Sequence, residues 1–97
     1  MRVYSRSTLK RFWEEHPDAE QALRAWFAEA KRAQWKSPSD IKALHRTASF
    51  VGGERVVFNI GGNKYRLVVA VSHARSTVFV RFVGTHRQYD RINARTV

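Results

Sequence analysis

The chain has 97 residues, no cysteine, and eighteen Lys and Arg against eight Asp and Glu, for a formal net charge of +10. That length suits one domain, residues 1–97, with a modest core; the lack of cysteine excludes a disulfide framework, a thiolate nucleophile and cysteine-ligated zinc. The longest mostly apolar run, Leu67 to Val71, is too short to span a bilayer, and the start, MRVYSRSTLKRFWEEH, lacks the apolar stretch of a secretory signal, so a soluble cytoplasmic protein with no membrane partner is expected.

The charge is unevenly spread. Residues 1–48 carry ten basic and six acidic side chains, and residues 49–97 carry eight and two. A field of this sign favours a polyanionic partner, nucleic acid first. A basic surface that meets an acidic protein is the competing reading.

Val3 and Tyr4 favour a short strand in Met1 to Ser5. Leu9, Phe12 and Trp13 mark one face of a helix that Pro17 ends. Asp18, with Gln21 three residues on, is the expected cap of a second helix, whose apolar stripe is Ala22, Leu23, Trp26, Phe27, Ala30 and Ala33. Trp35 either packs at the end of that helix or stacks on a base. Ser37, Pro38 and Asp40 start a third, short helix, followed by a loop over residues 46–53.

From Glu54 the period changes to two. Val56, Phe58 and Ile60 alternate with Arg55, Val57 and Asn59, and Gly61-Gly62 reads as a two-residue hairpin turn. The next strand runs from Asn63 to Val71, with Tyr65, Leu67, Val69 and Val71 on one face and Lys64, Arg66, Val68 and Ala70 on the other. A third, Thr77 to Val83, puts Val78, Val80 and Phe82 opposite Phe79, Arg81 and Val83. Gly84 then breaks the strand, and Thr85, with Gln88, caps a final helix on which Arg87, Arg91 and Arg95 share an exposed stripe. The expected fold is α+β: a twisted antiparallel sheet, helices on one face, a short C-terminal helix, and an open face carrying Lys64, Arg66 and Arg81.

Cleavage of RNA by its own 2′-hydroxyl requires a base, an acid and fixed positive charge on the phosphorane. Only Glu54 and Asp90 are acidic after residue 48, which argues against a two-metal nuclease, and the four histidines show no metal-ligand spacing. His86, Tyr89 and Asp90 fall at i, i+3 and i+4, so a helix brings them together. Spacing equally allows His86 and Asp90 as surface residues and Tyr89 as core filler. Arg66 and Arg81 sit among β-branched residues, facing either a bound phosphate or solvent. Lys64 would add charge to a phosphate, or act as base if its pKa were lowered. His16, His45 and His73 are expected at the surface.

The segments VVFNIGGNKYRLVV (Val56 to Val69), FVRFVGTHRQYDRI (Phe79 to Ile92) and FWEEHPDAEQALRAWFAEAKRAQWKSPSDIK (Phe12 to Lys42) resemble the HigB toxins of the RelE-like superfamily, in order and spacing, over nearly the whole chain. The resemblance implies a curved antiparallel sheet backed by helices and an endoribonuclease of a type II toxin–antitoxin pair. Such toxins cut mRNA, in many members on the translating ribosome, use no cofactor or metal, and are neutralised by a HigA-like helix-turn-helix antitoxin. Residue by residue it points to Lys64, Arg66, Arg81, His86, Tyr89 and Asp90. Arg66 and Arg81 would contact the phosphate, His86 would be the general acid with Tyr89 beside it, and Asp90 would either orient His86 or be structural. Arg55, Arg87, Arg91 and Arg95 are the expected RNA contacts. The alternative is a non-catalytic RNA- or ribosome-binding module.

Overall fold

Apolar periodicity decides the layers. In the computed structural model, which describes residues 1–97, the elements are β1 (Arg2–Tyr4), α1 (Arg6–Glu15), a 3-10 turn (Pro17–Ala19), α2 (Glu20–Arg32), α3 (Pro38–Leu44), β2 (Ser49–Val51), β3 (Arg55–Ile60), β4 (Tyr65–Ser72), β5 (Thr77–Thr85) and α4 (His86–Tyr89). The strands form one sheet in the order β1-β5-β4-β3-β2. All neighbours are antiparallel except β1, which pairs parallel to β5 through Val3 opposite Val78. That parallel edge departs from the purely antiparallel sheet expected. It arises because the intervening chain must cross the helical layer before returning.

The core lies between the sheet and the helices. Leu9, Phe12 and Trp13 of α1, Leu23, Trp26 and Ala30 of α2, and Ile41 of α3 pack on Val56, Phe58, Ile60, Tyr65, Leu67, Val69, Val71 and Val78. Phe58 sits at its centre, meeting Trp26 edge-on at 5.5 Å and stacking on Trp35 at 6.1 Å. Trp35 is thus core. His45 also packs edge-on against Phe58, at 5.0 Å, and is half-buried rather than a surface residue. Burial pushes its pKa down, with Glu29 opposing. His16 stacks on Phe12 at 4.3 Å, and His73 Nδ1 meets the Trp35 carbonyl at 2.8 Å.

Several local expectations are corrected. The 46–53 loop contains β2, hydrogen-bonded to β3. Gly61-Gly62 does turn, with φ of 64° and 73°, but the loop is four residues long because Ile60 pairs with Tyr65. Asp18 caps nothing, since α2 begins at Glu20 with Ala19 at its N-cap and no side-chain bond there. Ser37 does occupy the N-cap of α3 ahead of Pro38, yet it is Asp40 that accepts a backbone bond, from Lys36 at 2.9 Å. Gly84 lies inside β5 rather than ending it.

Phe58→Ala should lower unfolding free energy by about 3–5 kcal/mol, the range for deleting a large buried aromatic. Urea titration would measure it, and a loss below 1 kcal/mol would contradict this placement of the core.

Candidate active site

The face of the sheet turned away from the core is shaped by one extra residue. Val69 pairs with Val80 and Val68 pairs with Phe82, so Arg81 has no partner on β4. This bulge reverses the alternation expected for β5. Val83, opposite Leu67, packs on the core, while Phe82 joins Val68 on the second face. Arg66 follows in register, opposite Asn59 on one side and Gly84 on the other.

Gly84 is required by close approach. A Cβ there would stand 2.6 Å from the Phe82 ring and 2.7 Å from Gln88 Oε1, so any side chain would displace both. Directly after it, Thr85 caps α4 as expected. Its hydroxyl accepts from the Gln88 backbone N–H at 3.2 Å, and the Gln88 side chain accepts from the Thr85 N–H at 2.9 Å. The capped turn aims Tyr89 back over the sheet. Its ring lies 5.2 Å from the Arg66 guanidinium and 6.5 Å from Phe82. At that distance the Tyr89 ring attracts the guanidinium as a cation–π partner.

His86 opens the same turn. Its Nε2 is buried without a hydrogen-bond partner, as are Arg66 Nε, Arg55 Nε and Asn59 Oδ1. Four of the molecule's six such atoms therefore belong to the second face or the turn above it. Buried polar atoms normally find partners, so this face has unused capacity for an anion or a proton donor-acceptor. Asp90 is exposed just past the turn; its backbone N–H donates to the His86 carbonyl at 2.9 Å, but no hydrogen bond joins its carboxylate to the imidazole. The orienting role considered for it has no counterpart in the geometry.

Other expected site residues lie elsewhere. Lys64 does not share the Arg66 face: it is 68% exposed and reaches toward the helices to pair with Asp18. The Tyr65 hydroxyl donates to the same carboxylate at 2.6 Å. These bonds, from Lys64 first and Tyr65 second, hold the Asp18 carboxyl below its ordinary range. The bond to Asp18 raises Lys64 in return, opposite to the lowering that a lysine base requires. Arg81, exposed at the bulge, lies 5.5 Å from the Phe79 ring, toward β1.

The helix-long stripe Arg87–Arg91–Arg95 does not form, because α4 is one turn. The chain then runs through turns back over the sheet. Arg95 lies against Gly52, and Arg55 donates to the Val97 carbonyl at 2.9 Å. The second face is therefore closed over β3 and β4, where Val57, Val68 and Ala70 are 1%, 0% and 4% exposed, and is not the open surface expected. Arg87 and Arg91 stay exposed. Arg91 lines a cleft with Arg11, Phe12, His16, Phe82 and Val83, beside the half of β5 that β1 does not cover. Asn59 was missed as a site candidate; its place two residues from Val57 on the Arg55 face was the available signal.

His, Asp and Glu side chains nowhere gather in threes in metal-binding geometry. No helix is long and apolar enough to cross a membrane.

A five-stranded sheet thus holds a basic residue beneath a capped histidine turn. A sequence model of the HigB toxin family, the RelE-like toxic component of a toxin-antitoxin system, matches residues 19–92, and the chain belongs to that family. It is similar to a protein named mRNA interferase toxin HigB from Escherichia coli (strain K12), with 28% identity over 96 residues, 97% of this chain and 92% of the relative. Proteins named mRNA interferase HigB from Escherichia coli O157:H7 and Shigella flexneri show the same identity and coverage.

The Asp18 cluster has a pH signature. A depressed carboxyl stabilises the fold fully above its ordinary pKa of 3.8, and that contribution is lost as pH falls through the lower folded value. The stability difference between wild type and Asp18→Asn, by urea titration, should be constant near neutrality and shrink below about pH 4. A difference unchanged to pH 2 would contradict the Lys64–Asp18–Tyr65 cluster.

Proposed function

We propose that this chain is the endoribonuclease toxin of a type II toxin–antitoxin pair, cleaving mRNA by acid–base chemistry of its own side chains and so inhibiting translation. Family membership and the mRNA interferase names of the Escherichia coli and Shigella relatives support the activity. The observation that carries the site is Arg66, held under Tyr89, with its Nε and the Nε2 of His86 both unpartnered.

On this reading the RNA 2′-hydroxyl gives up its proton to a solvent base as it attacks the adjacent phosphorus, the bond to the 5′ oxygen breaks, and His86 protonates that oxygen as it leaves. Arg66 takes the non-bridging oxygens, where charge builds in the transition state. Tyr89 fixes Arg66 through its ring and turns its hydroxyl toward the phosphate. Arg81 holds a neighbouring phosphate from the bulge, and Arg87 and Arg91 extend the basic track. Arg55 and Arg95 serve instead to anchor the returning tail. Lys64, committed to Asp18, acts at most through its long-range charge.

The fold is on this view the RelE-like one, in a single domain over residues 1–97. The net charge of +10 suits capture of message on the ribosome in the cytoplasm. A HigA-like helix-turn-helix antitoxin would neutralise the toxin and bring any operator binding, since this chain has no such motif of its own.

Inducing the chain in growing cells should arrest growth and create new mRNA 5′ ends. Arg66→Ala and His86→Ala should each cut cleavage roughly 100- to 1,000-fold with the fold intact by circular dichroism. Arrest without new RNA ends would favour the non-catalytic RNA-binding module. Full cleavage by both variants would refute the site.

A further inference from the structure

One part of the second face takes no role in that chemistry. At the sheet edge, Tyr4 and Phe79 sit opposite each other across the parallel β1–β5 pair. Their rings stack with centroids 5.6 Å apart and planes 20° apart. Tyr4 is 48% and Phe79 36% exposed, which makes them two of the four large apolar side chains that the fold leaves in solvent. The other two, Leu44 and Phe50, belong to α3 and β2.

Cations surround this pair. Arg81 stands 5.5 Å from the Phe79 centroid, and Arg2, Lys31 and Arg75 line the groove beside the rings together with Ser76. No acidic side chain lines that groove. Two flat exposed rings rimmed by four cations fit a ligand that joins a flat apolar group to an anion, and a nucleotide is such a ligand. An apolar peptide would leave the four cations unanswered.

Position agrees with this chemistry. Phe79 is opposite Ala70 and Gly84 opposite Arg66, so four residues of β4 separate the platform from the Arg66 centre. At strand spacing that is roughly 13 Å, within reach of one short stretch of extended RNA.

We propose that Tyr4 and Phe79 form a stacking platform for a nucleobase of single-stranded RNA outside the scissile position, with Arg81, Arg2 and Arg75 holding the flanking phosphates. The proposal deepens the endoribonuclease reading and rests on it for the identity of the strand. Base–aromatic stacking tolerates any base, so the platform adds affinity and register rather than sequence choice.

The test is fluorescence anisotropy with a short labelled RNA whose 2′-hydroxyls are replaced by fluorine, so that binding is read without cleavage. Tyr4→Ala and Phe79→Ala should each weaken binding roughly 5- to 150-fold, the range for losing one stacked base. Tyr4→Phe and Phe79→Trp should restore it. In wild type, an abasic site walked along the oligonucleotide should weaken binding at one position, and the double alanine variant should lose that sensitivity. Normal binding by the alanine variants, or no sensitive position in wild type, would overturn the platform. So would normal RNA binding with lost capture of the antitoxin, which would assign the rings to a protein partner. Platform-dependent binding with no cleavage of ordinary RNA would instead sink the endoribonuclease reading and leave the platform standing.

Discussion

The arrangement of the second face depends on one unpaired residue in β5. Without the bulge at Arg81, Val80 and Phe82 would share a face and Val83 would point away from the helices. With it, Val83 completes the core opposite Leu67, and Phe82 fills the space beside Gly84. Everything downstream is set by that shift: Gly84 in register with Arg66, the cap at Thr85, and Tyr89 over the guanidinium. The bulge also divides the arginines. Arg66 is clamped in the middle of the sheet, while Arg81 is turned toward the Phe79 edge.

The two faces of β4 do different work. One face, Tyr65, Leu67, Val69 and Val71, is sealed by the helices. On the other, Val68 and Ala70 are buried, opposite Phe82 and Phe79 of β5, and its end holds a partly buried arginine. Placing a guanidinium next to so much apolar surface has a desolvation cost that only hydrogen bonds or an anion offset. The Tyr89 ring offsets part of it. The Nε of Arg66 and the Nε2 of His86 have no hydrogen-bond partner in the chain, and on the proposed reading a phosphate would supply one.

Much of this was legible in the residues. Apolar alternation located β3, β4 and β5, because in each the face toward the helices is buried, and the i, i+3, i+4 pattern located α1 and α2. The Thr85–Gln88 box was readable because both partners are local in sequence. Long-range competition was not. Asp18 has the spacing of a helix cap, but Lys64 and Tyr65, distant in sequence, claim its carboxylate. Lys64 follows the alternation of Arg66 on paper, yet it lies in the turn before β4, where pleat no longer dictates direction. A bulge leaves no composition signal, so the reversal of Phe82 and Val83 was invisible, as was the tail's return to Arg55 and Gly52. His45 looked like a surface residue because nothing local reveals that it packs on Phe58.

The chemistry assigned to the face makes a demand on its products. Attack by the 2′-hydroxyl leaves a 5′-hydroxyl on one fragment and a 2′,3′-cyclic phosphate or its 3′-phosphate product on the other. It also makes the reaction depend on one ribose. The most direct measurement is mass spectrometry of the fragments made by the purified chain, with ribosomes present, from an mRNA and from its copy carrying a single 2′-deoxyribose at the cut. The expected result is 5′-hydroxyl and cyclic or 3′-phosphate ends, and no cutting at the deoxy position. Fragments ending in 5′-phosphate and 3′-hydroxyl, or equal cutting of the deoxy copy, would contradict it.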